Sequence, residues 1–192
     1  MRYKLSTPSN YVMGIPRIYW GEYVDEVTPM NDEQAEYITK LVALERGKIW
    51  SLVVLGTVGN GKTRLASDLC SLHEYYHPYE TLYTTQERLT DECRATFSAE
   101  STTSEATVIR KYQTASLLVI DEITTRNWTD YTKNLIQRIC SYRHEQNLRT
   151  LIIGNLDVQT FKQMFDPHII SRFREGDTHI MTAPDMRLHG DF

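Results

Sequence analysis

Residues 49–63, IWSLVVLGTVGNGKT, run an apolar stretch of strand length straight into the pattern G-x-x-x-x-G-K-[ST]. A strand that ends in such a loop and continues as a helix commits the chain to an α/β sheet with a phosphate site at its strand ends. Gly56, Gly59 and Gly61 allow a tight backbone turn whose N–H groups point at phosphate oxygens, and the first turn of the helix adds partial positive charge. The nucleotide-binding set is therefore Gly56, Thr57, Val58, Gly59, Asn60, Gly61, Lys62, Thr63 and Arg64. Lys62 is expected to reach the β- and γ-phosphates of ATP, and Thr63 to ligate Mg²⁺. A glycine-rich hairpin turn would explain neither the Lys-Thr pair nor the helical spacing of Leu65, Ala66, Leu69 and Cys70 that follows.

Apolar strand-like runs alternate with helical patterns along the rest of the chain, the signature of βαβ units and a parallel sheet. Strands are expected at 49–55, 80–84, 116–121, 149–155 and 178–183, with helices at 62–76, 86–97, 130–146 and 157–165. Pro8, Pro16 and Pro29 mark residues 1–30 as an extended arm, followed by a helix from Asn31 to Arg46. The division is thus an N-terminal arm and helix over 1–46 and a core over 47–192, a length that suits one domain. The Ser/Thr-rich stretch 98–108 reads as an exposed loop or a poorly formed helix. Cys70, Cys93 and Cys140 are scattered without a C-x-x-C pair, which argues for buried thiols over a disulfide framework or a zinc ribbon. No apolar run reaches membrane-spanning length and MRYKLSTPSN lacks a signal-peptide core, so a cytoplasmic protein with no membrane partner is expected. The net charge of −4 leaves any nucleic-acid contact to a local basic patch or to several subunits together.

LLVIDE at 117–122 is a buried-type strand ending in two acids, 59 residues after Lys62. At that spacing Asp121 is expected to hold Mg²⁺ through water and Glu122 to orient and polarise the water that attacks the γ-phosphate. LIIGN at 151–155 brings Asn155 to a third strand end, where its amide can bond the attacking water or the γ-phosphate. Two arginines follow, Arg172 in HIISRFREG and Arg187 in APDMRLHG. A guanidinium at the γ-phosphate stabilises transition-state charge, and one supplied by a neighbouring subunit couples hydrolysis to assembly.

HEYYH at 73–77 satisfies the zinc-protease pattern H-E-x-x-H. It falls at the far end of the helix that begins at Lys62, Pro78 follows at once, and the sequence offers no evident third ligand. The expectation is a helix end whose histidines favour the negative dipole terminus. The sequon Asn127-Trp128-Thr129 carries no information in a cytosolic chain.

GTVGNGKTRLA, LLVIDE and ICSYRHEQNLRTLIIGNL at 139–156 together resemble the AAA+ ATPases of the DnaC, DnaI and IstB group, bacterial and phage helicase loaders and their transposition relatives. The resemblance spans about residues 11–187 and implies a P-loop NTPase of the AAA+/ASCE class, a three-layer αβα sandwich on a five-stranded parallel sheet. GIPRIYW at 14–20 is similar to the segment these proteins carry ahead of the core, which puts Ile15 to Tyr19 near the adenine. SRF at 171–173 matches the arginine-finger position and DMR at 185–187 the terminal sensor arginine, with Arg187 on the nucleotide. By the same resemblance, ATP-bound subunits form a homo-oligomer through the finger, grip single-stranded DNA and load a replicative helicase. DNA contact is expected after the second strand, at Arg88, Arg94, Arg110, Lys111 and Tyr112, beside Tyr83. The chain departs from the group in having only an arm and one helix ahead of the loop, and five residues after Arg187, so no C-terminal lid domain is expected. Three rival readings are an IstB-like transposition-targeting ATPase, a small nucleotide kinase, and a module that uses ATP only as an assembly clamp.

Overall fold

The structure, a computed structural model, describes residues 14–15 and 29–185. In chain order the elements are α1 (Asp32–Glu45), β1 (Ser51–Gly56), α2 (Lys62–Tyr76), β2 (Thr81–Thr85), α3 (Gln86–Ala95), α4 (Glu105–Thr114), β3 (Leu117–Ile123), α5 (Asp130–Glu145), β4 (Arg149–Gly154), α6 (Val158–Met164), α7 (Pro167–Arg174) and β5 (Asp177–Met181). The strands form one parallel sheet in the order β2-β3-β4-β1-β5.

Strands buried on both faces are apolar throughout, and their side chains still alternate between the two faces. Leu52, Val54, Val119, Leu151 and Ile153 pack with Tyr37, Leu41 and Leu44 of α1 and Leu65, Leu69 and Cys70 of α2. Val53, Leu55, Leu118, Ile120 and Ile152 pack with Leu89 of α3, Ile109 of α4, Ile136 and Ile139 of α5, and Phe161, Phe165 and Phe173. The result is the expected three-layer sandwich. All three cysteines are buried and unpaired. No described helix is long and apolar enough to cross a membrane.

α1 also closes one edge of the sheet. Lys40 Nζ donates to Thr178 O of β5 at 2.8 Å, and the Glu33 carboxylate accepts from Thr182 N–H and Ala183 N–H, each at 2.9 Å.

The five strands and the helix over 62–76 form where the sequence puts them, with strand boundaries displaced by no more than two residues. Two helices lie outside the ranges expected for helices, one of them starting in the stretch read as an exposed loop or a poorly formed helix. Within the Ser/Thr-rich stretch, Ser104 accepts from Thr107 N–H at 3.1 Å and starts α4, so the hydroxyl that suggested a loop serves as a helix cap. α7 begins at Pro167, where the fixed φ of proline suits the first helical position.

Arg143 sets the register of the strand ends. It is fully buried on α5 and donates only to neutral oxygens: Thr150 Oγ1 (2.9 Å), Tyr112 O (3.0 Å), Gln113 O (3.2 Å), Ala115 O (2.7 Å) and Arg149 O (2.5 Å). Burial lowers the guanidinium to about 10, so it stays charged at neutral pH. One side chain thereby ties the turn before β3 to the start of β4. Arg143→Leu should cost at least about 3 kcal/mol by stranding several buried carbonyls, read as a lower urea midpoint.

Candidate active site

The loop between β1 and α2 is held from two sides. Asn60 is fully buried, and its Nδ2 donates to Met181 O at the end of β5 at 2.9 Å. Thr57 N–H donates to the same carbonyl at 3.1 Å. From α1, Gln34 Nε2 donates to Asn60 O at 3.1 Å and the Tyr37 hydroxyl to Lys62 O at 3.3 Å. Gly56 has φ 140 and lies so close to Met181 O that a Cβ has no room, which is why this turn needs glycine.

Two features of the loop select an anion. α1, α3, α4 and α5 each start on a side-chain cap, whereas α2 starts on Gly61 at φ 92 with no side-chain cap and no acid in its first turn. A helix start of this kind suits an anionic ligand. Lys62 Nζ lies within the curl of the loop, donating to Asn60 Oδ1 at 2.9 Å, to Gly56 O at 3.3 Å and to Thr57 O. Arg64 points away and pairs with Asp68 at 3.3 Å, while Val58 is half exposed at the tip. The Asp185 carboxylate packs against Gly59.

Asp121 joins three elements. Its Oδ2 accepts from Thr63 Oγ1 at 2.8 Å and from the Tyr83 hydroxyl, and its Oδ1 from Glu122 N–H at 2.6 Å. A hydroxyl and a carboxylate are hard oxygen donors, and their spacing matches the roughly 2.9 Å between neighbouring ligands of octahedral Mg²⁺. The pair therefore fits Mg²⁺ bound by Thr63 and Asp121. Burial, then the charge of Asp121, pushes the Tyr83 phenol far up, so Tyr83 remains a proton donor to Asp121.

Glu122 occupies a bulge in β3, between Ile120 and Ile123, with φ 55. That left-handed backbone turns its side chain out of the strand alternation and leaves it exposed at the strand end. Partial burial, then the nearby Asp121 and Glu87 carboxylates, holds its carboxyl above the usual range. Asn155 is exposed immediately after β4, which lies between β1 and β3. Leu55 and Ile123 both pair with Gly154, so Asn155 shares an edge with the phosphate loop and Glu122.

Arg172 lies elsewhere. Its carbonyl accepts from Trp50 Nε1 at 3.1 Å, just ahead of β1, and its guanidinium meets Glu145 at 3.5 Å. A six-residue strand separates that end of the sheet from the loop by about 20 Å. Ile15 is buried in the cluster that holds Leu65 and Tyr83, whereas Pro16 to Tyr19 and Arg187 lie outside the described residues.

The residues expected to meet DNA do not form one open surface. Arg88, Lys111 and Tyr112 line a hollow of about 160 Å³. Arg88 donates there to Gly14 O at 2.7 Å, Lys111 pairs with Glu92 at 2.6 Å, and Tyr112 is buried with its hydroxyl on Glu92. Arg94 and Arg110 instead lie over the rings of Tyr131 and Tyr142. Tyr83, read with this group, faces Asp121 inside the sandwich. Sequence reasoning missed Tyr83, Gln34 and the Asn60 side chain as parts of the site. The alternation of β2 could have turned Tyr83 inward, but nothing local names its partner.

Tyr83→Phe should lower stability by about 1.5–3 kcal/mol for a lost charge-assisted bond, read by urea denaturation. It should also weaken ATP binding more in Mg²⁺ than in EDTA. Because the folded environment favours the protonated Glu122 carboxyl, its ionised form weighs against the fold above the ordinary carboxylate pKa. Glu122→Gln should therefore raise the thermal midpoint at pH 7 and lose that advantage below about pH 4.

The fold recurs in known proteins. A replicative helicase loader DnaC of Buchnera aphidicola (subsp. Acyrthosiphon pisum) is 28% identical over 172 residues, covering 88% of this chain and 70% of that protein. The DnaC of Escherichia coli K12 is 26% identical over 132 residues, 69% of this chain, and the chain spans about half (53%) of its length. A crystal structure of DnaI superposes with a TM-score of 0.73 at 18% identity, covering 93% of this chain and 99% of that one, so the two share a fold. The family described as IstB-like ATP binding protein matches residues 30–172, the span from just before α1 into α7 that carries the loop, Asp121, Glu122 and Asn155, and the chain belongs to that family.

Proposed function

We propose that this protein is an ATP-hydrolysing AAA+ motor that assembles on single-stranded DNA and loads a replicative helicase. The observation that carries the ATPase reading is the convergence of Lys62, the Thr63–Asp121 pair, Glu122 and Asn155 on the carboxyl edge of one parallel sheet. The DnaC relatives support the loader reading, since each is described as a replicative helicase loader.

In this reading the uncapped α2 terminus and Lys62 bind the phosphates of ATP. Thr63 and Asp121 would hold Mg²⁺, which would supply charge neutralisation to the triphosphate. Glu122 orients a water and takes its proton as the oxygen bonds to the γ-phosphorus. The bond between that phosphorus and the bridging oxygen breaks, and ADP leaves with the electron pair. The raised pKa of Glu122 suits a proton acceptor. Asn155 steadies the water or the γ-phosphate. Arg172 is too far from its own loop to act there, and it serves the γ-phosphate of a neighbouring subunit once released from Glu145.

The family description favours a second reading, a transposition-targeting ATPase with the same motor and a different partner. Copurification with a helicase or with a transposase separates the two.

The test is ATPase rate and particle mass, with and without single-stranded DNA. Wild type should assemble with ATP and DNA. Lys62→Ala should lose nucleotide binding, and Glu122→Gln should bind ATP, assemble and hydrolyse at least about 100-fold more slowly. Arg172→Ala should bind ATP without assembling, and mixing it with Glu122→Gln should restore turnover at shared interfaces. A monomer indifferent to DNA and to both variants would overturn the motor reading.

A further inference from the structure

Far from the nucleotide edge, the fold completes a motif that the sequence leaves one group short. His73 and His77 lie one turn apart at the end of α2, with rings stacked at 4.6 Å. The end of α1 delivers Glu45, whose Oε2 is 2.7 Å from His73 Nδ1. One ligand atom from each of Glu45, His73 and His77 falls within 4.8 Å of the others. We propose that these three side chains form a binding site for a divalent transition cation of the zinc type, a structural staple between α1 and α2.

The donor chemistry fits. Two imidazoles and one carboxylate suit Zn²⁺, leaving a fourth position for water. Tetrahedral bonds of about 2.0–2.2 Å place ligand atoms roughly 3.3–3.5 Å apart, so closing the site needs small movements. The His73–Glu45 distance opens slightly, and the His77 ring, partly exposed beyond the last helical turn, swings inward.

An outer partner supports the site. His73 is fully buried, and its Nε2 lies 3.2 Å from Ser116 Oγ, the residue just before β3. Arg149 donates to the same oxygen at 3.3 Å. With Nε2 engaged by Ser116, Nδ1 is the ring nitrogen that faces Glu45 Oε2, at 2.7 Å. A bound metal would take the place of the proton shared between Nδ1 and the carboxylate.

The arrangement differs from a zinc protease. The intervening Glu74, the catalytic base of that pattern, is buried and accepts from Tyr79 N–H at 2.5 Å. The site lies about 16 Å along α2 from Lys62, so it is separate from the nucleotide chemistry.

The experiment uses full-length, tag-free protein in millimolar Mg²⁺, which occupies the hard-oxygen site. Zn²⁺ titrated by calorimetry should bind one per chain at a micromolar Kd or tighter and raise the thermal midpoint. Co²⁺ in its place should give the visible absorption of a tetrahedral site. His77→Ala and Glu45→Gln should each weaken binding by more than about tenfold, and Ser116→Ala by about tenfold, while the exposed His168→Ala changes nothing. His77 sits at a helix end, so its loss leaves the core intact, and circular dichroism confirms the fold of each variant. Stoichiometric binding that survives His77→Ala and Glu45→Gln, or no binding at about 100 μM Zn²⁺, would overturn the proposal and leave an ordinary histidine–glutamate pair.

Discussion

The hydrogen bond from Thr63 to Asp121 joins the first turn of α2, which follows β1, to the end of β3, although β1 and β3 are not neighbours. It can form only because β4 holds β1 and β3 apart by two strand spacings, about 9.6 Å, and because every strand runs the same way. The inserted strand brings its own end to the same place, so Asn155 arrives between loop and acid without any specific contact to guide it. Arg143 keeps this alignment from the opposite end of the sheet by tying the turn before β3 to the start of β4. The site is thus a consequence of strand order and register, held from behind.

Local sequence revealed what depends on local geometry. The phosphate loop and α2 are consecutive, and glycine spacing, Lys62, Thr63 and the helical apolar pattern all report on one continuous turn. The acids near the end of β3 and the amide after β4 were legible for the same reason, since each marks the end of a buried strand. Tyr83, Gln34 and Glu45 were not legible because their roles depend on partners 38, 26 and 28 residues away. The left-handed backbone at Glu122 was invisible too, since no glycine announces it and the bulge follows from pairing with β4. The stretch 98–108 left a loop and a poorly formed helix both open, because a serine such as Ser104 serves a loop and a helix start equally well and only its position decides.

Charge reading was least reliable where it rested on composition. Arg88, Arg94, Arg110 and Lys111 were grouped because they are close in sequence, but folding gives each a separate acceptor or ring. Lys111 meets a carboxylate, while Arg88, Arg94 and Arg110 stay exposed and keep their charge against a carbonyl or a ring. Arg172 shows a similar principle with a different result: its pairing with Glu145 is mostly solvent-facing on the Glu145 side, and such pairs are weak enough to exchange for a stronger anion.

The way α1 lies along β5 limits how copies of this chain can meet. An open edge strand offers a row of backbone groups to which any extended segment can add, a route to fibres as much as to rings. Here Lys40 occupies the Thr178 carbonyl, and Glu33 takes the amides of Thr182 and Ala183 where the chain leaves β5. The molecule's own helix thus takes part of the row that an added strand would need. Copies that met on this side would do so through side chains and helix faces more than through a backbone ladder.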